Sequence, residues 1–105
     1  MCGISGIVHS ENIGKSLFNS IRNLEYRGYD SCGMAIIFHG TLDLRKNVGG
    51  IDEANSMEKF DQMEGFIGIA HTRWATHGGV NRENAHPHIS NNSQFAIVHN
   101  GIISN

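Results

Sequence analysis

The stretch Phe66-Ile67-Gly68-Ile69-Ala70-His71-Thr72-Arg73-Trp74 decides how this sequence is to be interpreted. Its first five residues are apolar or glycine, and a short run of this kind is typical of a buried strand. Polar and aromatic residues follow at once, at positions 71–74. A buried strand would hold these side chains at its end, on a rigid scaffold of the kind that carries functional residues.

Similar runs predict further strands at residues 4–8, 34–38 and 95–98, and a return strand at 41–45 after a turn at Gly40. Apolar side chains spaced by three or four residues predict a helix between them, with Asn12 as its cap and Arg27 and Gly28 at its end. A second, weaker helical pattern lies within residues 51–63, and residues 76–93 are expected to be a loop. The order of elements indicates a sheet-based α+β or α/β protein and does not decide between them.

Composition narrows the class of protein. The 105 residues are 39% hydrophobic and 17% charged, which is typical of one globular domain or a piece of one. The net charge is −2 and basic residues form no run, so we expect no nucleic-acid partner. We expect no membrane partner and a cytoplasmic location, because neither a span of ~20 apolar residues nor a secretory signal is present.

Cys2 is the first candidate for chemistry. Loss of Met1 would leave a thiol and a free α-amine on one residue. The α-amine has a pKa of roughly 7.7–8.0, so it can take the proton from the thiol and return it to a leaving amine. The alternative interpretation is that Cys2 is an incidental second residue in a flexible terminus. The apolar strand directly after Cys2 argues against it, because that strand would hold the terminus in place.

Two further motifs suit the same chemistry. Arg73 at a strand end can grip a carboxylate with two parallel hydrogen bonds, Thr76 can add a hydroxyl, and Trp74 can exclude water. In His99-Asn100-Gly101, the side-chain amide and the glycine N–H can point at one oxyanion. Taken alone, the arginine motif is also typical of a strand end with a buried Trp and a surface Arg. Taken alone, the Asn-Gly pair is also typical of an ordinary turn.

Other site types have less support. Five histidines lie between residues 71 and 99, but their spacing matches no familiar zinc motif, so no metal is expected. The glycine pairs 49–50 and 78–79 belong to no phosphate-loop pattern. Cys32 is interpreted as a small thiol beside a buried strand. No cofactor is expected.

Taken together and in order, these motifs resemble the class II glutamine amidotransferases, which are N-terminal-nucleophile hydrolases. Within that class the resemblance is to the glutaminase domain of the glutamine–fructose-6-phosphate aminotransferases (isomerizing), and it covers essentially the whole chain. Amidophosphoribosyltransferases share only the cysteine start and the His-Asn-Gly motif. The strings that carry the resemblance are Met1-Cys2-Gly3-Ile4, residues 24–31 (LEYRGYDS), residues 71–78 (HTRWATHG), residues 84–88 (NAHPH) and His99-Asn100-Gly101-Ile102-Ile103.

The resemblance implies an α+β fold, the αββα four-layer sandwich of that hydrolase class. It also implies that Cys2 attacks the side-chain amide of glutamine, giving a γ-glutamyl thioester and ammonia, with Asn100 and Gly101 as the oxyanion hole. The ammonia would go to fructose 6-phosphate to make glucosamine 6-phosphate, in hexosamine synthesis. Full-length members of the family are expected to be homo-oligomers.

The resemblance implies supporting roles as well. Arg73, with Thr76 and His77 nearby, would hold the α-carboxylate of glutamine. Trp74 would help to close the site and guide ammonia onward. Arg27 would support the site near Cys2, in a mainly structural role.

The family's domain is about twice as long as this chain. We therefore expect residues 1–105 to be the N-terminal part of that domain, without the sugar-phosphate isomerase domains and without the acidic residue that binds the α-amine of glutamine. Such a piece should fold poorly and be inactive alone, because it leaves sheet faces uncovered. Two alternatives stay open: a partner-binding or decaying remnant, and another class II enzyme such as an amidophosphoribosyltransferase.

Overall fold

The computed structural model describes residues 2–102 and 104 of the chain. Four strands form one antiparallel sheet in the order β1-β4-β2-β3, and a two-stranded sheet, β5-β6, accompanies it. The predicted α+β class is confirmed. In chain order the elements are β1 Gly3–Val8, α1 Gly14–Arg22, a 3₁₀ helix Glu25–Arg27, β2 Ser31–Phe38, β3 Thr41–Val48, α2 Ile51–Glu58, a 3₁₀ helix Phe60–Gln62, β4 Ile67–Arg73, β5 His88–Ile89 and β6 Ala96–Ile97.

Both helices belong to one hydrophobic core. Leu17 and Ile21 of α1 are fully buried, and so are Met34 and Ile36 of β2, which share the same cluster. Phe18 stacks on Phe60 with ring centroids 6.3 Å apart. Burial of this apolar surface, at roughly 25 cal/mol per Å², fixes α1 on the sheet.

The opposite face of the sheet carries the side chains of His71 and Arg73 from β4. Ala70 lies in the core, and because side chains alternate along a strand, its neighbours Ile69 and His71 point to the other face. Part of that face stays open, since Ile4, Ile37 and Ile67 are each 45% exposed. The sheet therefore has one covered face and one face that the described residues cover only in part.

Two details of the first helix differ from the sequence prediction. Asn12 does not cap it. The Asn12 Oδ1 accepts a hydrogen bond from the Gly65 N–H at 2.6 Å, and Ile13 stands at the N-cap position without a side-chain cap. The helix also ends earlier, at Arg22, and Arg27 lies in the separate 3₁₀ helix.

The prediction that Gly28 stops that helix is wrong. Its backbone is extended, with φ −179°. The residue instead lies against the end of β4, where a Cβ would come within 2.5 Å of the Arg73 carbonyl carbon. Close packing, rather than helix termination, is what requires a glycine at this position.

The region 76–93 is not a loop throughout, because β5 lies within it and pairs with β6. Neither helix in the described ranges is long and apolar enough to cross a membrane. Met1, Ile103 and Asn105 lie outside the described residues, and so the predicted loss of Met1 and the predicted continuation of the domain beyond Asn105 stay predictions.

Candidate active site

The candidate site lies where the start of β1 meets the end of β4. The two strands are antiparallel, and Gly3 pairs with Thr72, so Cys2 comes beside the last residues of β4. A pocket of about 550 Å³ opens at this point, within the size range of small-molecule sites. Of the eight site residues that the sequence predicts, six line this pocket, and Arg27 and Asn100 do not. The six are Cys2, Arg73, Trp74, Thr76, His77 and Gly101.

The Cys2 thiol is half-buried and rests on the backbone of Trp74. The Trp74 N–H donates to Sγ at 3.4 Å, and Sγ lies 3.6 Å from the Trp74 carbonyl oxygen, to which the thiol can donate. Cys2 is therefore a free thiol beside a fixed backbone donor.

Asn100 reaches the same residue from the far end of the chain. Its Nδ2 donates to the Cys2 carbonyl oxygen at 3.1 Å, and its Oδ1 lies 2.8 Å from His71 Nε2. Gly101, which follows it, has φ +155°, and a Cβ there would come within 3.0 Å of the His99 ring. The structure thus brings the His-Asn-Gly motif to Cys2, with a glycine at a position that strains any other residue.

Arg73 is nearly buried, with 7% of its surface exposed. Its Nη1 donates to the Gly79 carbonyl at 2.8 Å and its Nη2 to the His77 carbonyl at 2.6 Å, so the guanidinium shapes the loop after β4. In the described part of the chain, no carboxylate is paired with it. A buried cation without an anion is costly, so the pocket favours an anionic group beside Arg73.

Trp74, Thr76 and His77 line the pocket with exposed side chains. Trp74 is 44% exposed and packs against Tyr29, with ring centroids 5.8 Å apart. It therefore forms part of the pocket wall.

Arg27 does not line the pocket. It is half-buried in its 3₁₀ helix, directly before Gly28, which abuts the Arg73 backbone. Its predicted supporting role would thus act through the end of β4. Asp30, which sequence reasoning did not single out, acts there directly: its N–H donates to the Arg73 carbonyl at 3.0 Å, and its Oδ2 accepts from the Ala75 N–H at 2.8 Å.

Three histidine rings lie in contact beside the pocket, and two of them, His86 and His88, line it. His71 stacks on His86, and His86 meets His88 edge-on, both with centroids 4.3 Å apart. Burial lowers the pKa of His71 to about 4 and that of His86 to about 3. For His71, the Asn100 hydrogen bond opposes this shift and the charge of Arg73 adds to it. Both rings are therefore neutral at physiological pH.

The histidines do not form a metal site in the described chain. Across residues 2–102 and 104, no three side chains of histidine, cysteine, aspartate or glutamate come together in a way that could hold a metal ion. A hydrogen bond holds the segment that carries His86 against β3, since the Lys46 Nζ donates to the Ala85 carbonyl at 2.8 Å.

Cys32 has a different environment from Cys2. It is buried in the core beneath the helices, and burial raises the pKa of its thiol to about 12, with the charges of Glu25 and Glu58 adding to the effect. A thiol of this kind stays protonated and unreactive. Unlike Cys2, Cys32 is not among the residues that line the pocket.

Sequence reasoning missed the contact between His71 and Asn100, which are 29 residues apart. Apart from placing His71 at a strand end and within the motif 71–78, the sequence analysis considers it only as a metal ligand. The position of His71 within a buried strand is a usable signal, because a buried imidazole needs a hydrogen-bond partner.

Comparison with known proteins places these features in a family context. No protein-family model matches the chain. Curated relatives do match it over all of its residues: the glutamine–fructose-6-phosphate aminotransferases (isomerizing) of Methanococcus maripaludis and Zymomonas mobilis are each 52% identical to it, and that of Staphylococcus aureus is 45% identical. The chain spans only 17–18% of the length of these relatives.

Among solved structures, the chain is similar to the glutamine phosphoribosylpyrophosphate amidotransferase from B. subtilis. The TM-score is 0.73 at 24% sequence identity, over 88% of this chain and 20% of that one. At this identity the likeness concerns the fold alone. The chain therefore shares the fold of a part of that amidotransferase, and over all of its 105 residues it is similar to a part of the glutamine–fructose-6-phosphate aminotransferases.

Proposed function

We propose that this chain carries the nucleophile and the oxyanion donors of a glutamine-hydrolysing site, and that Cys2, Asn100 and Gly101 are those residues. The observation that carries the proposal is the contact between the two ends of the chain, with Asn100 Nδ2 bonded to the Cys2 carbonyl at 3.1 Å. It puts an amide donor beside a free cysteine that lines the pocket.

The chemistry starts at the thiol. The Cys2 sulfur attacks the side-chain carbonyl carbon of glutamine, and the α-amine of Cys2, free once Met1 is lost, takes the thiol proton. A C–S bond forms and the carbonyl oxygen becomes an oxyanion, which Asn100 Nδ2–H and the Gly101 N–H stabilise. The intermediate collapses, the proton goes to the leaving nitrogen, and ammonia departs from a γ-glutamyl thioester. Water then hydrolyses the thioester to glutamate.

The pocket supports glutamine as the substrate. Arg73 offers a nearly buried positive charge with no carboxylate paired to it in the described residues, and an α-carboxylate would supply the missing anion. Among the described residues, the carbonyls of His77 and Gly79 engage two of its five N–H groups. Thr76 and His77 line the same wall and would add contacts to that carboxylate, while Trp74 would cover the bound substrate.

We further propose that the ammonia serves the amination of fructose 6-phosphate, the substrate that the names of the curated relatives contain. These relatives support this reading over phosphoribosyl pyrophosphate, since the likeness to the amidotransferase from B. subtilis concerns only the fold. The chain would be the N-terminal part of the glutaminase domain. Its partly open sheet face, with Ile4, Ile37 and Ile67 exposed, supports this because such a face is normally covered.

The direct test is glutamate release from glutamine by the natural protein. Cys2→Ala should abolish it, whereas Cys32→Ala is the matched control and should retain it, because Cys32 lies in the core away from the pocket. Intact mass adds a second check. A protein that hydrolyses glutamine while retaining Met1 would contradict the role given to the α-amine.

A further inference from the structure

His71 occupies a position that the proposed reaction does not itself explain. It is fully buried in β4, where its backbone pairs with Ile4 of β1 on one side and Gly33 of β2 on the other. Its ring points away from the core and toward Asn100. A side chain fixed this firmly on a central strand is well suited to set the orientation of a neighbour.

The hydrogen bonds around Asn100 allow only one arrangement. The Cys2 carbonyl oxygen can only accept, so the Asn100 amide must turn its NH₂ group toward Cys2, at 3.1 Å. The Asn100 Oδ1 then faces His71 Nε2 at 2.8 Å, and since Oδ1 can only accept, Nε2 must carry the proton. The relay is therefore His71 Nε2–H to Asn100 Oδ1, and Asn100 Nδ2–H to Cys2 O.

The other ring nitrogen indicates that His71 is neutral. His71 Nδ1 is buried without a hydrogen-bond partner, so a second proton placed there would be an unsatisfied buried donor. Two neighbouring groups act in the same direction: Arg73 on the same strand and His88, beyond the stacked His86 ring, both lower the pKa of His71, whereas the Asn100 hydrogen bond raises it. An uncharged Nε2–H tautomer meets all of these constraints.

We infer that His71 is a positioning residue whose Nε2–H holds the Asn100 carboxamide with Nδ2 turned toward Cys2. The inference rests on the proposed function, in which Asn100 Nδ2 stabilises the oxyanion. Were the amide to flip, Oδ1 would face both the Cys2 carbonyl and the developing negative charge. His71 opposes that flip, because it offers a donor that only Oδ1 can accept.

The kinetic test compares two substitutions in the natural protein. His71→Leu fills the space without a donor, whereas His71→Gln restores an N–H near the position of Nε2. Since an oxyanion donor contributes roughly 10²–10³ in kcat, His71→Leu should lower kcat for glutamine hydrolysis by about tenfold or more. His71→Gln should recover most of that loss, and KM should change by less than about threefold in both. Equal losses in the two variants, or no loss in His71→Leu, would overturn the inference.

A measurement on the unmutated protein guards against variants that fail to fold. Long-range ¹H–¹⁵N spectra report which nitrogen of a histidine carries its proton. His71 should be the neutral Nε2–H tautomer at pH 7, and an Nδ1–H tautomer or an imidazolium would refute the positioning role. Failure of the two proposals is distinguishable: a natural protein that releases no glutamate contradicts the proposed function, whereas the wrong tautomer contradicts only the role of His71.

Discussion

Substitution of Gly28 by alanine should damage the candidate site from behind. An added Cβ would lie 2.5 Å from the Arg73 carbonyl carbon, 2.7 Å from the Trp74 nitrogen and 2.8 Å from the Arg73 oxygen. Contacts between carbon atoms normally lie near 3.5–4.0 Å, so the end of β4 would have to move by about 1 Å. All three atoms belong to the backbone and cannot rotate away as a side chain would.

The expected cost follows from that displacement. Overpacking of this kind typically costs about 1–3 kcal/mol of the free energy of unfolding, and sometimes more. The shift also moves the Trp74 N–H that donates to the Cys2 sulfur at 3.4 Å. We therefore expect Gly28→Ala to lower the urea midpoint of unfolding. We also expect it to slow the reaction of Cys2 with an electrophilic glutamine analogue by about tenfold or more, which corresponds to a rise of about 1.4 kcal/mol or more in the activation free energy.

Gly6→Ala is the matched control for this experiment. Gly6 lies in β1 of the same sheet, and a Cβ there would meet the Gly68 carbonyl oxygen at 3.6 Å and an Ile69 methyl carbon at 3.8 Å, both ordinary contacts. Its stability should change by less than about 1 kcal/mol, with alanine favoured by its smaller loss of backbone entropy. If Gly28→Ala is as stable and as reactive as Gly6→Ala, the packing argument is wrong.

The site and the sheet support three further predictions. The free energy of unfolding should fall as pH is lowered from about 6.5 to 4, because the unfolded chain protonates its histidines near pH 6.5 while folded His71 and His86 do so only near pH 4 and 3. His71 contributes roughly 3 kcal/mol to this fall at most. A free energy of unfolding, measured with urea, that does not change over this pH range would contradict the prediction. Arg73→Ala should raise KM for glutamine by about tenfold or more and change kcat less, as expected for a carboxylate contact, and an unchanged KM in steady-state assays refutes that role. Residues 2–105 produced alone should bind a hydrophobic dye through the open sheet face and hydrolyse no glutamine; measurable hydrolysis would overturn our expectation that the piece is inactive.

The sequence predicts the sheet well because its strands are short apolar runs. Residues 34–38 and 66–70 are both recognised, and the structure extends them to β2 Ser31–Phe38 and β4 Ile67–Arg73 by backbone pairing that hydrophobicity does not report. The pocket residues are found from motifs, each of them weak alone. What makes them convincing is their order along the chain.

The misses share one physical cause, which is contact between residues distant in sequence. Asn12 has the chemistry of a helix cap, but a tertiary bond to the Gly65 N–H takes its side chain instead. Gly28 resembles a helix stop, and only its approach to β4 explains it. The bond between His71 and Asn100 likewise depends on how the chain returns to its start.

The central claim is that Cys2 is the reactive thiol of a glutamine site. The decisive measurement is reaction of the natural protein with an electrophilic glutamine analogue, followed by peptide mapping of the adduct with and without excess glutamine. We predict a single adduct on Cys2, suppressed by glutamine, and no adduct on Cys32, whose pKa burial raises to about 12. Modification of Cys32, or labelling of Cys2 that glutamine does not suppress, would contradict the claim.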